Sequence, residues 1–233
     1  MKKLFMIIPL VVIIGVAATV FLVIPRILPP PGDFIVVNPI DLSQVSMIST
    51  FRSCEGHDYS GFNINGELES GRSMKHYIVP TDEFKNTQGR LKALAPFDGT
   101  IVSIEREFRG AQVWLSPQEN DFNFIFFHID LLPELAVGTE VKAGQIIGHA
   151  DVRGANDFDI GLKRFPPFFY LDSPFNYMSA EVLEQYFDLG IERDNIIISK
   201  QERDQNPCTF GESTEEGWIE LPENQDILED NIL

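Results

Sequence analysis

The hydropathy pattern of the chain begins with an uninterrupted apolar run. From Leu4 to Pro25 no side chain carries a charge, and a run of about 20 apolar residues is what a helix needs to cross a bilayer core. A cleavable signal peptide has a shorter apolar centre followed by a small-residue cleavage site, whereas Ala17 and Ala18 lie inside this run. The pattern therefore predicts an uncleaved transmembrane helix over residues 4–25, with a cleaved signal as the alternative.

The charges beside this run predict its orientation. Lys2 and Lys3 precede it and only Arg26 follows closely, and the more basic flank of a membrane helix stays in the cytoplasm. We therefore expect a single-pass membrane protein with residues 1–3 in the cytoplasm. The remainder, after a proline-rich spacer over residues 26–42, is expected to be extracytoplasmic.

Short β-type patterns follow the spacer. They are rich in β-branched or aromatic residues, are separated by turn residues, and cover residues 91–96, 100–106, 112–117, 122–130, 145–150 and 158–164. No helix-length amphipathic pattern interrupts them, so they predict a mostly β domain, folded as an antiparallel sheet or barrel with irregular loops.

The C-terminal part of the chain has a different pattern. Residues 179–190 predict one amphipathic helix, because Ser179 is a suitable N-cap and Gly190 a suitable stop. The acid-rich range 201–233 predicts a C-terminal tail. The β domain is accordingly expected over residues 43–200.

Charge and cysteine content narrow the classes of partner and compartment. The formal net charge of −17 argues against a nucleic-acid partner, which requires a basic surface. In an oxidising compartment the two cysteines, Cys54 and Cys208, predict a disulfide, and two unrelated buried thiols are the alternative. Neither cysteine has a second one nearby, as a cysteine zinc site would require.

Four segments together resemble a known family. They are APFDGTIVSIE (95–105), FHIDLL (127–132), VGTEVKAGQIIGHAD (137–151) and FDIGLK (158–163). Over residues 76–164 the chain resembles the lysostaphin-like or LytM-type zinc endopeptidases, extracytoplasmic enzymes that cut peptide cross-links in peptidoglycan. The resemblance implies the duplicated hybrid fold. Biotinyl and lipoyl domains share that fold, so the motifs support the fold better than the function.

The resemblance also implies positions for a site. His76 occupies the place of the family's first metal ligand, but Pro80 stands where the next ligand, an aspartate, belongs. His128 matches the histidine at a strand end that assists catalysis. The family's final H-x-H has become Asp157 and Asp159, which stand at a catalytic and a metal-binding position respectively.

These departures predict a degenerate member of the family. A catalytic zinc needs three protein ligands and one open position, and this chain keeps one histidine, changes one to a carboxylate and loses one. We therefore interpret it as a catalytically silent domain, without a resident cofactor, that binds a cell-envelope polymer or a membrane-associated protein. The alternative is an active zinc endopeptidase in which His57, Asp58 or Asp82 supplies the missing ligand.

Each candidate residue also has a purely structural interpretation. His76 can hydrogen-bond a strand end, and His128 can be a satisfied core histidine. Asp157 and Asp159 share one face of a strand, which suits either a cation site or a solvated edge. Against these interpretations, the family positions predict that His76, His128 and Asp159 lie near one another in the groove of the sheet.

A third hypothesis is a carrier or adaptor domain built on the same half-motif. A carrier domain needs a lysine at an exposed hairpin tip, and the turns at 106–112 and 117–121 contain none. Lys142 lies in a turn where either family has a lysine. The loop region from Arg52 to His76 concentrates charged residues and is where we expect any site to lie.

Overall fold

The described part of the chain comprises residues 32–155, 157–165, 169–210 and 217–222 of a computed structural model. The membrane helix predicted over residues 4–25 lies outside these ranges. Within them, no helix is both long and apolar enough to cross a bilayer.

The described residues form twelve strands and three α-helices. The strands are β1 (Val45–Ser49), β2 (Phe62–Asn63), β3 (His76–Pro80), β4 (Leu91–Leu94), β5 (Gly99–Arg106), β6 (Ala111–Pro117), β7 (Phe122–Leu131), β8 (Glu140–Val141), β9 (Ile146–Ala150), β10 (Phe158–Arg164), β11 (Tyr170–Asp172) and β12 (Trp218–Glu220). The helices are α1 (Ala180–Phe187), α2 (Arg193–Ile196) and α3 (Lys200–Gln205), with 3₁₀ turns at Leu42–Gln44 and Pro174–Asn176.

The strands form one open sheet. Its main path runs β12-β1-β3-β10-β7-β6-β5-β8, and β2, β4, β9 and β11 attach beside this path. All pairings along the path are antiparallel, whereas β11 and β2 are parallel. The prediction of a mostly β, antiparallel sheet is confirmed. The barrel alternative is wrong, because the path ends in the short strands β12 and β8, which do not pair with each other.

The predicted segments correspond closely to observed strands. Residues 158–164 match β10, and the segments predicted from residues 100 and 112 each begin one residue late. The predicted helix is α1, capped by the Ser179 side chain, which accepts a hydrogen bond from the Val182 N–H. Helices α2 and α3 and strands β1, β2, β3, β8, β11 and β12 were not predicted as elements. Most of them are too short to show a period, and β1 to β3 lie in the range 43–87, where repeated glycines are typical of loops. Strand β12 pairs with β1, so the sheet includes part of the range 201–233.

Alternation along the strands separates the face that packs on the main hydrophobic core from a second face. We call this second face the open face, because it becomes partly exposed at Lys163, although Asp159 and Gly161 on it are buried. In β10, Phe158, Ile160 and Leu162 are almost fully buried and belong to the main hydrophobic core. The residues between them, Asp159, Gly161 and Lys163, point to the other face, because successive side chains of a strand alternate. This second face carries the candidate site.

The predicted disulfide is confirmed. Cys54 and Cys208 are bonded, with their Cα atoms 5.1 Å apart and a sequence separation of 154. The chain-entropy model gives a loop of this length about 4–5 kcal/mol of stabilisation as an upper figure. Beside the bond, the Arg203 guanidinium donates to the Arg52 carbonyl oxygen at 2.7 Å. The segment after α3 is thereby fixed to the loop that precedes β2.

Candidate functional site

A buried ion pair lies at the centre of the open face. The Lys75 ammonium, immediately before β3, donates to Oδ2 of Asp159 on β10. Both side chains are 2% exposed. Asp159 lies opposite Tyr77 in the register of β3 and β10, so the ion pair connects the two strands.

Aromatic rings enclose the Lys75 ammonium. Its nitrogen lies 4.6 Å from the ring centroid of Phe127, 4.7 Å from Tyr77 and 5.0 Å from Tyr59. Cation–π attraction in a desolvated setting adds about 2 kcal/mol, which offsets part of the cost of removing both charges from water. The second oxygen of Asp159, Oδ1, is buried and has no hydrogen-bond partner among the described residues.

His76 faces away from this pair. It lies opposite Ile160, a core residue, whereas its neighbour Tyr77 lies opposite Asp159. Its Nδ1 lies 2.7 Å from the Ser49 carbonyl oxygen and its Nε2 lies 2.8 Å from the Ser173 hydroxyl. Burial lowers the pKa of His76 from 6.5 to about 4, so the ring is neutral at pH 7, donating to Ser49 and accepting from Ser173. The structural interpretation of His76 is the one that matches these contacts.

His128 lies on an irregular part of β7. The register between β6 and β7 shifts between Ala111 and Val113, and His128 adopts a φ of +60°, a conformation that bulky residues rarely adopt outside bulges and functional sites. Its Nδ1 lies 2.9 Å from Oε2 of Glu107. The same oxygen accepts the His128 backbone N–H at 3.1 Å. Glu107 therefore holds the imidazole in one orientation.

Asp157 lies next to this group, just before β10. Burial raises the pKa of its carboxyl group, and the negative charge of Asp159 raises it further. The Arg109 guanidinium donates to the Asp157 carbonyl oxygen at 3.2 Å and lies 3.9 Å from its carboxylate. The charges of Arg109, His128 and Lys75 oppose this shift. We call the region around Lys75, Asp159, His128 and Asp157 the cleft.

His57 lies at the rim of the cleft. Its Nδ1 is 3.3 Å from the Tyr77 hydroxyl, and its backbone N–H donates to the same oxygen at 3.2 Å. Gly56 precedes it with a φ of +65°, and a Cβ atom there would lie 2.1 Å from the Tyr77 hydroxyl oxygen, so only glycine fits. Partial burial, followed by the charge of Lys75, lowers the pKa of His57.

Four candidate residues, His57, His128, Asp157 and Asp159, interact electrostatically in or beside the cleft. They do not form a metal site. The charges of Asp159 and His128 act on His57, and those of Asp159 and His128 act on Asp157. His76 belongs to the opposite face. Among the described residues, no three His, Cys, Asp or Glu side chains are placed to hold a metal ion. The residues present do not fit a catalytic zinc, because an ammonium group bonds the one carboxylate at a ligand position.

Sequence reasoning placed Lys75 in the charged region from Arg52 to His76, but missed its pairing with Asp159 and its aromatic neighbours. Lys75 and Tyr77 flank His76, so they share the face opposite to the one that His76 occupies. The motif match drew attention to His76 alone. One signal for the ion pair was available in the sequence. Lys75 and Tyr77 are two residues apart and therefore share a face, and Asp159 lies on a predicted strand that was expected nearby.

Comparisons with known proteins agree with the resemblance drawn from the motifs. No family model matches the chain, and no curated protein matches it. Solved structures do. One is described as a glycyl-glycine endopeptidase, LytM, from Ruminococcus gnavus, with 18% identity, a TM-score of 0.36 and 44% of each chain covered. The chain thus spans less than half of that protein's length.

Two further structures cover more of the chain. A catalytic-domain variant of the prophage-encoded protein EnpA from Enterococcus faecalis is 15% identical, with a TM-score of 0.36, over 56% of this chain and 98% of that one. The SpoIIQ–SpoIIIAH pore-forming complex gives 16% identity and a TM-score of 0.44 over 64% of this chain and 96% of that one. LytM-type domains are thus among the structures similar to this chain. At these values no residue role is transferred from them.

The ion pair predicts a large effect of removing one partner. Lys75→Met leaves the Asp159 carboxylate buried without a cation, and we expect the free energy of unfolding to fall by about 3–5 kcal/mol. Adding Asp159→Leu to this variant removes the uncompensated charge, so most of the loss should be recovered. Urea denaturation of the two variants and the wild type at pH 7 measures both effects.

A matched control is Lys142→Met, which breaks the exposed pair of Lys142 with Asp98. It should leave the unfolding midpoint almost unchanged. A Lys75→Met variant as stable as this control would show that the buried pair does not constrain the fold.

Burial of His76 predicts a pH-dependent stability. The unfolded chain protonates His76 near pH 6.5, whereas the folded chain does so near pH 4, so protons favour unfolding in this window. Stability from this residue is complete above pH 6.5 and is lost as pH falls towards 4, by up to about 3 kcal/mol. Urea denaturation at pH 7, 5.5 and 4 should show that the free energy of unfolding falls less steeply with pH in His76→Gln than in the wild type. An equal pH dependence in both proteins would contradict the assignment of a neutral, buried His76.

Proposed function

We propose that this chain is a peptidase-like domain of the LytM type that does not hydrolyse peptide bonds and that binds a cell-envelope polymer or a membrane-associated protein in its cleft. The observation that carries the proposal is the Lys75–Asp159 pair. An ammonium group bonds the carboxylate that stands at a metal-ligand position of the family it resembles.

The electrostatics of the pair support the absence of hydrolysis. The Lys75 charge neutralises Asp159, so a divalent cation entering beside it would have to displace a buried, ring-enclosed ammonium. A lysine ammonium offers three hydrogen-bond donors and no position for a ligand. It therefore cannot activate water as a zinc ion does. His76, bonded to Ser49 and Ser173 on the other face, gives no second ligand.

The polar rim of the cleft supports a binding role. The imidazole of His128 is held by Glu107, His57 is exposed at the rim, and Tyr59 and Lys163 lie on the open face. Groups that are fixed in orientation and partly exposed suit recognition of a ligand. None of them requires a metal for its position.

Zinc content and hydrolysis test this proposal. Purified protein, dialysed against zinc-free buffer, should retain well under one zinc per chain by mass spectrometry of the metal content. It should release no fragments from peptidoglycan or from glycine-rich peptides. Stoichiometric zinc together with cleavage that disappears in His57→Ala would overturn the proposal and favour the rearranged zinc endopeptidase. His149→Ala, a substitution outside the cleft candidates, serves as the control variant.

We also propose that the apolar run over residues 4–25 anchors the domain on the extracytoplasmic side of a membrane. The basic pair Lys2–Lys3 supports this orientation, and a disulfide is typical of oxidising compartments. In cells, a membrane-impermeant maleimide should label Glu134→Cys, at an exposed position, and should not label Lys3→Cys. The reverse pattern would overturn the topology.

A further inference from the structure

Lys163 is a half-buried cation on the open face without an acidic partner. Its ammonium nitrogen lies 5.0 Å from the ring centroids of Tyr59 and Trp114 and 5.5 Å from that of Phe169. Within the described part of the chain, no carboxylate forms an ion pair with it. Burial lowers the pKa of Lys163, the charge of Lys75 lowers it further, and Glu105 opposes this shift without reaching ion-pair distance.

This lack of a partner contrasts with the other enclosed cations. Lys75 is bonded to Asp159, Arg72 to Glu69, and Arg164 to Asp121. The chain has 35 acidic residues against 18 lysines and arginines, so acidic side chains are abundant. A half-buried ammonium that none of them neutralises carries a desolvation cost, which the rings around it offset only in part.

Two further hydrogen-bond donors lie beside Lys163. The indole N–H of Trp114 and the hydroxyl of Tyr59 are buried, and neither has a hydrogen-bond partner among the described residues. Both rings contact the Lys163 ammonium. Buried polar groups are normally satisfied, so two unsatisfied donors on the rings that enclose an ammonium without an ion-pair partner favour an acceptor supplied from outside.

The open face of β10 leads to this group. Asp159, Gly161 and Lys163 follow one another along it, which places Lys163 about 13 Å from Asp159. Between them, the Phe127 and Lys75 side chains cover Gly161, since a Cβ atom there would lie 3.4 Å from Phe127 and 3.7 Å from Lys75. The face becomes accessible only at Lys163 and beyond, where Phe165 and Phe169 are 47% and 50% exposed and their ring centroids are 5.1 Å apart. A ligand bound at Lys163 would place an apolar side chain against these two rings.

We propose that the Lys163 ammonium, with the Tyr59 hydroxyl and the Trp114 indole N–H, binds a carboxylate of an acidic peptide segment whose neighbouring apolar side chain packs on Phe165 and Phe169. This inference rests on the proposed binding role of the cleft and names its ligand chemistry. Lys163 supplies the charge, and the two neutral donors direct the carboxylate oxygens. Because the two neutral donors are buried, the proposed binding requires the Lys163 side chain to move aside from them.

The test uses two peptides that differ in one charge. The probes are N-acetyl-phenylalanyl-glutamyl-phenylalaninamide and its glutaminyl analogue. Each is titrated into the ¹⁵N-labelled protein, and the two indole N–H resonances are followed by NMR. The chain has two tryptophans, so Trp114→Phe assigns the signals. The glutamyl peptide should shift the Trp114 signal saturably, and the glutaminyl peptide should bind at least about tenfold more weakly, as expected for loss of a charge-assisted hydrogen bond.

Variants separate a binding role of Lys163 from a structural one. Lys163→Met should abolish the difference between the two peptides, and Lys163→Arg should retain it because the charge is kept. Lys92→Met, at an exposed position of β4, is the matched control and should bind as the wild type does. Equal binding of both peptides to the wild type, or no shift by either, would overturn the site.

Failure of this site and failure of the proposed function have different signatures. If either peptide is hydrolysed and binding still depends on the glutamyl charge, only the proposal that the domain does not hydrolyse peptide bonds is overturned. Absence of the charge dependence, with no hydrolysis, overturns only the Lys163 site.

Discussion

The open face depends on one buried contact, the bond between the Lys75 ammonium and the Asp159 carboxylate. Removing two charges from water costs several kcal/mol for each ion, so neither side chain is tolerated there without the other. The requirement extends to their neighbours. Tyr77 must lie opposite Asp159, and Phe127 must lie over the ammonium. Gly161 leaves room for both, since a Cβ atom there would lie 3.4 Å from Phe127 and 3.7 Å from Lys75.

Side-chain alternation decides which residues belong to the cleft. His76 and Tyr77 are neighbours in sequence but face opposite sides of the sheet, and a shift of one residue would exchange them. A motif match aligns positions along the chain and carries no information on which face a side chain occupies. Here that face is set by the pairing of Ile160 with His76, which places the imidazole between Ser49 and Ser173 instead of beside Asp159.

The sequence predicted six of the twelve described strands and the site only in part. Strands β6, β7 and β10 were located to within one residue, because runs of β-branched and aromatic side chains between turn residues specify strands locally. Strand β3, which pairs with β10 and carries Tyr77, was not predicted. The shared face of Asp157 and Asp159 followed from the same periodicity. The Lys75 pair and the Glu107 contact of His128 join residues 84 and 21 positions apart. Such contacts depend on strand order and register, which a single sequence does not fix. The open edges of the sheet depend on the same information.

An ammonium can replace a metal ion structurally without replacing it chemically. It neutralises a carboxylate and connects two strands, as a coordinated cation would, but it cannot polarise a bound water. The two lysines on the open face differ in whether the protein supplies them with a counter-charge. Lys75 and Lys163 contact the same Tyr59 ring at the same distance of 5.0 Å. The protein supplies a carboxylate to Lys75 and supplies none to Lys163. Since burial makes an unpaired charge costly at both positions, this asymmetry favours a cleft in which Lys75 is a closed structural contact and Lys163 is reserved for the anion of a ligand.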